Sequence, residues 1–120
     1  MTYKKSRIYR LGFDLAFRVE EVCRKLPTHE RYSLAQQLRR ASRSVVANYV
    51  EAFVRQHSFP RDHKRFITYS QGSCDETKFW LEFLAAIGLT SKEIVEDLVE
   101  GYSEVGKLLN PILRKNTRTL

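Results

Sequence analysis

The chain has 120 residues, 42% of them hydrophobic, with five glycines, three prolines and two cysteines; this length holds one domain and one core but not two. No apolar run reaches the length of a membrane span, and no CxxC pair or His/Cys ligand spacing suggests a metal site or a disulfide framework. With 21 Lys and Arg against 14 Asp and Glu, the formal net charge is +7, which makes polyanions the natural partners.

Residues 1–10 form a basic arm with Lys4, Lys5, Arg7 and Arg10 and no apolar signal core, so the expected location is the cytoplasm. A first helix is expected over about 11–26, with Phe13, Phe17, Val22 and Leu26 near its apolar stripe and Pro27 at its end.

The segment Glu30 to Arg55 carries one uninterrupted helical pattern, expected to begin near Ser33, a possible N-cap. Leu34, Leu38, Ala41, Val45, Tyr49 and Ala52 recur at three- and four-residue steps and make the packing face. Gln37, Arg40, Ser44, Asn48, Glu51 and Arg55 recur beside it as a polar seam. The small residues Ser44, Ala47 and Asn48 suggest close approach of another helix or subunit, across which Asn48 and Glu51 find hydrogen-bond partners. Arg39 and Arg43, one turn apart, form a basic edge suited to gripping a phosphate backbone.

Pro60 suits the start of a third helix over about 61–87, placing Phe66, Ser70, Ser73, Thr77, Trp80, Leu84 and Ile87 along one face. Gly88 fits the left-handed residue after a helix, and Thr90 with Glu93 reads as a capping box for a fourth helix over about 91–113. That helix should bury Ile94, Leu98, Tyr102, Val105, Leu109 and Ile112, with Gly101 and Gly106 permitting close packing. Short connections make successive helices antiparallel, so the expected architecture is all-α: a single up-down-up-down four-helix bundle over 1–120 with a basic tail at about 114–120.

The segments ERYSLAQQLRRAS and SVVANYVEA, then RFI and KFWLEFL, occur in that order and spacing. In them the chain resembles the bacterial four-helix-bundle family of 23S rRNA intervening-sequence proteins. More distantly it is similar to the accessory variability protein of diversity-generating retroelements, a small basic bundle that assists a reverse transcriptase. The resemblance implies a ring, a homopentamer with a cationic surface, and a possible reverse-transcriptase partner. Ala52 departs from the family, which typically has Gly after the glutamate; His57 and Phe59 sit in a loop that is more plainly polar in relatives, and Pro111 interrupts the last helix.

Charge is uneven along the chain: residues 1–65 hold 15 Lys or Arg against 6 Asp or Glu, whereas 66–109 hold 3 against 8. The expected nucleic-acid contacts are Arg39, Arg40, Arg43, Arg55, Arg61, Lys64 and Arg65, with Gln37, Ser44, Asn48 and Glu51 as the structural seam. Tyr3, Tyr9 and Phe59 are candidates for stacking on unpaired bases or for packing at a subunit contact. Asp75, Glu76, Glu82, Glu96, Asp97 and Glu100 form an acidic pole that a neighbouring subunit's basic half would complement.

Catalysis finds no supporting motif, no cofactor or metal is expected, and Glu51, Asp62 and His63 have no spacing that demands a nuclease-like cluster. The expected function is a non-catalytic oligomer binding RNA, DNA or an RNA–DNA hybrid, with a reverse transcriptase as the partner that the resemblance implies. The alternative is a protein-interaction module whose basic surface docks an acidic partner protein.

Overall fold

In the computed structural model, which describes residues 2–30 and 32–118, the first helix starts earlier than its apolar pattern alone predicts. The Ser6 hydroxyl accepts a hydrogen bond from the Tyr9 N–H at 3.0 Å, a side-chain cap that opens α1 (Arg7–Arg24). Its core side is Ile8, Leu15, Val19, Val22 and Cys23, followed by Leu26. Phe13 and Phe17 point outward, 55% and 62% exposed, against expectation. Both stripes have helical spacing, and the one buried holds Leu15 and Val19, with Leu15 packed against Gly101.

The second helix, α2 (Leu34–Arg55), buries Leu38, Ala41, Val45, Tyr49 and Ala52 as its periodicity requires, with Leu34 half-buried. The third, α3 (Pro60–Ala86), begins on its proline. Between them His63 is buried, and its Nδ1 lies 2.7 Å from the Ala52 carbonyl. That nitrogen carries the proton and donates, because a carbonyl only accepts. The Gln56 N–H, which would otherwise satisfy Ala52, turns to the Phe53 carbonyl, so His63 closes the C-terminal end of α2. Further along, the Ser70 hydroxyl donates to the Val45 carbonyl at 2.6 Å. Small residues bring these two backbones together.

Gly88 has φ +80°, the Leu89 N–H bonds to the Leu84 carbonyl at 3.0 Å, and the Gly88 N–H bonds to that of Ala85 at 3.1 Å. This pair of bonds is a Schellman termination, and the left-handed residue it needs is a glycine. The fourth helix, α4 (Lys92–Arg118), follows. Its cap is Ser91, whose hydroxyl accepts from the Ile94 N–H at 3.1 Å, not the expected Thr90. With the start one residue later, Val95 enters the core and Ile94 is 43% exposed. Pro111 does not end the helix but lies within it at an exposed position.

Contacts fix the direction of each helix. Gly12 faces Val46 and Glu20 faces Arg39, so numbers fall on α2 as they rise on α1. Ala52 meets His63 while Arg40 meets Glu76, and Arg7 pairs with Glu104 while Arg18 pairs with Asp97. Every helix is antiparallel to its neighbours, α1 closes on α4, and the bundle is 46 Å long by about 22 Å wide.

Among the glycines the closest approach is at Gly101, where a Cβ would stand 2.5 Å from Leu15 Cδ2. Leu15 is buried, so that Cβ would press into the core. At Gly106 nothing lies within 4 Å of that position. Alanine gains about 1 kcal/mol of helix propensity at either site, but overpacking costs about 1–3 kcal/mol. Gly106→Ala is therefore expected to raise the urea-unfolding free energy by about 1 kcal/mol and Gly101→Ala to lower it by a similar amount. Equal stabilisation by both would contradict the packing described.

Candidate nucleic-acid interface

Antiparallel topology, not sequence proximity, decides which cations share a surface. One end of the bundle gathers the basic arm before α1, the turn between α2 and α3, and the last turns of α4: Tyr3 packs on Phe53 at 6.2 Å between ring centroids, and Arg7 reaches Glu104. Lys4, Lys5, Arg10, Arg55, Arg61, Lys64, Arg65, Arg114 and Lys115 therefore converge from three stretches of chain. The opposite end mixes Arg24, Lys25 and Lys92 with Glu21, Glu82, Glu93, Glu96 and Asp97.

At the basic end the side chains differ in how far they are committed. Arg55 pairs with Glu51, and Arg65 pairs with Asp62 at 2.9 Å. Their guanidinium carbons lie 5.0 Å and 5.4 Å from the centre of the Phe66 ring, a cation–π arrangement that holds both against α3. Arg61 and Lys64 form no ion pair with any described residue. A phosphate would meet these two without displacing a carboxylate.

The remaining expected contacts sit elsewhere. Arg39 and Arg43 are about 18 Å or more along α2 from Arg55, and both are bound to Glu20 of α1. Arg39 makes a two-pronged contact, Nε to Oε1 at 2.8 Å and Nη2 to Oε2 at 3.0 Å. Arg43 adds a bond of 3.2 Å from Nη2 to Oε1, and Arg24 another of 3.2 Å from Nε to Oε2. The basic edge is thus an arginine cluster built around one carboxylate. The hydrogen bond from Arg39 holds the Glu20 carboxyl below its ordinary value, against the opposing effect of burial.

Arg40 lies on the seam. It donates to Gln37 at 2.9 Å and to Glu76 at 3.2 Å, and the same Glu76 oxygen accepts from the Trp80 indole at 3.1 Å. The seam thus ties α2 to α3 through Gln37, Arg40 and Glu76. Ser44 and Asn48 are half-buried beside it, and Glu51 turns to Arg55. Glu51, Asp62 and His63 each have a different partner: Arg55, Arg65 and the Ala52 carbonyl. Among the described residues no cluster of three His, Cys, Asp or Glu is placed to hold a metal. Cys23 and Cys74 are buried free thiols, raised by desolvation to about 11 and about 12. No described helix is long and apolar enough to cross a membrane.

Residues 4–111 match the family described as 23S rRNA-intervening sequence protein. The chain belongs to that family. The intervening-sequence-family bundle also superposes, with a TM-score of 0.79 and 23% identity, on a crystal structure from Bacteroides thetaiotaomicron described as a protein with unknown function from the S23 ribosomal protein family. The match covers 88% of this chain and 97% of that one and establishes a shared fold. No curated protein matches the chain.

Sequence reading missed the role of Glu20, because its partners lie 19 and 23 positions away on another helix. The cations of the expected basic tail, Arg114 and Lys115, lie on α4 and reach the basic end because that helix runs antiparallel to α1. Glu20 ionises more readily in the folded family member than in the unfolded chain. Its contribution is therefore present above the unfolded value of 4.5 and is lost as pH falls through the lower folded value. Glu20→Gln is expected to lower stability at pH 7 by about 1 kcal/mol, with the gap to the unsubstituted protein shrinking below pH 4.5. Denaturant melts at several pH values check this; a pH-independent gap contradicts it.

Proposed function

We propose that this protein is a non-catalytic, nucleic-acid-binding oligomer that holds RNA, DNA or an RNA–DNA hybrid at the basic end of its bundle, as an accessory to an enzyme such as a reverse transcriptase. The observation that carries the reading is the convergence of uncommitted cations, Arg61 and Lys64 foremost, with Arg55 and Arg65, the N-terminal arm and the end of α4. Acidic side chains concentrate at the other end, so the field points a phosphate chain to one place. Arg39, Arg40 and Arg43 lie outside this surface, each held by a carboxylate, Glu20 for Arg39 and Arg43 and Glu76 for Arg40.

Self-association is the second part of the proposal. Phe13, Phe17, Val46, Ala47 and Val50 line an open apolar groove between α1 and α2. Phe79 and Phe83 are exposed on the outer side of α3 beside Trp80, with Ile87 exposed just after the helix. Single exposed apolar residues are ordinary, but two rows of them suit a protein contact. The two faces differ, so joining one to the other gives a head-to-tail contact, the kind that closes into a ring. A pentamer is the assembly we assign.

Fluorescence anisotropy with labelled RNA over a salt series tests the binding. Replacing Arg61, Lys64 and Arg65 together by alanine should reduce the slope of log affinity on log salt by about 2–3, while Lys92→Ala, at the opposite end, leaves it unchanged. Failure of the unsubstituted protein to retain RNA or DNA at low salt removes the binding reading and leaves an acidic protein partner in its place. Light scattering tests the ring. Five copies of the 14.1 kDa chain are expected, and Phe17→Asp should dissociate them; a monomer at high concentration contradicts the assembly.

A further inference from the structure

The basic end carries aromatic rings as well as charge, and their packing within the chain does not account for them. Phe59 precedes α3 and is 59% exposed; Tyr69, three turns into α3, is 49% exposed. Tyr69 stands edge-on to Phe66, with centroids 5.7 Å apart and planes at 90°. Phe66 is itself half-buried against the core and flanked by the Arg55 and Arg65 guanidinium groups. The result is an amphipathic step: an anchored ring, two held guanidinium groups, and a second ring half exposed to solvent. Arg65 lies one turn and Arg61 about two turns toward the start of α3 on the same outer side, whereas Lys64 is about 140° round the helix.

Phosphate attraction alone needs no aromatic face. A base stacks on a side chain only if it is not already stacked and paired inside a duplex. From the placement of Tyr69 on the outer side of α3, one turn past Arg65 and about two turns past the uncommitted Arg61, we infer that the end of the bundle takes unpaired nucleotides: a base stacks on Tyr69 while the adjoining phosphates run to Arg65 and Arg61. The site is thus selective for single-stranded segments, loops or splayed ends over continuous duplex, with no preference among bases implied, since every base offers a π face. This rests on the nucleic-acid reading above and narrows its substrate class.

The rival use of the same rings is a protein contact. Tyr69 is about 15 Å along α3 from Phe79, separated from that apolar row by Gly72, Ser73 and Glu76. On Tyr69's side of α3 the two carboxylates are already held, Asp62 by Arg65 and Glu76 by Arg40, and the charge left over, at Arg61, is positive, which a phosphate chain complements.

The test is anisotropy with a labelled single-stranded 12-mer of adenosine and, separately, a 12-base-pair RNA duplex, at three salt concentrations. Tyr69→Leu keeps apolar bulk and removes the π face; Tyr32→Leu, 80% exposed ahead of α2 at the other end, serves as the control. The unsubstituted protein is expected to bind the single strand at least 5-fold tighter than the duplex. Tyr69→Leu should lose roughly 5-fold or more on the single strand, a stacking contribution of about 1 kcal/mol or more, with the salt slope unchanged and duplex binding unaffected. Tyr32→Leu should do nothing. Equal affinity for both forms, or an unchanged Tyr69→Leu, overturns the stacking site while leaving the electrostatic reading intact. Loss of assembly mass in Tyr69→Leu overturns it in favour of a protein contact, and absence of binding to either probe removes both readings.

Discussion

The constraint on which the molecule depends is the antiparallel closure of four helices joined by short turns. Once the Schellman turn at Gly88 and the His63–Ala52 bond fix two of the reversals, each helix must pack on the next along its apolar stripe, and α1 must meet α4. Leu15 against Gly101 is where that last contact is tightest. An even number of antiparallel helices brings the described ends of the chain and the middle turn to the same end of the rod. The segregation of charge follows from that geometry more than from local clustering of basic residues.

Local patterns in the sequence are enough to define α2, because its apolar face, polar seam and basic edge are all set by spacing within one helix. Gly88 is equally legible, since a left-handed terminus favours a residue without a Cβ. The phase of α1 is not: Phe13 and Phe17 have helical spacing just as Leu15 and Val19 do, and the choice is made by what the other helices can accommodate. The cap of α4 escaped for a similar reason, two adjacent hydroxyl residues being alike in sequence and separated only by where the Gly88 turn delivers the chain.

The candidate interface was legible in composition but not in arrangement. Counting charges along the chain gives a basic half and an acidic middle, yet groups Arg39 and Arg43 with Arg61 and Lys64. In three dimensions the first pair is bound to Glu20 and the second is free to meet an anion. Arg114 and Lys115, distant in sequence, join the second group. Pairing decides the matter: a guanidinium held at 2.8 Å by a carboxylate must give up that contact before it takes a phosphate oxygen, and one without a carboxylate gives up only water.

Residue-resolved mapping of RNA binding tests this account most directly. With isotopically labelled protein and a short single-stranded RNA, amide shift changes should centre on residues 55–69, spread to residues 3–10 and 107–115, and leave residues 88–97 and the Glu20 cluster unmoved. Changes centred on Glu20, Arg39 and Arg43, or at the turn between α3 and α4, would show that charge convergence at the other end does not govern where the nucleic acid lies.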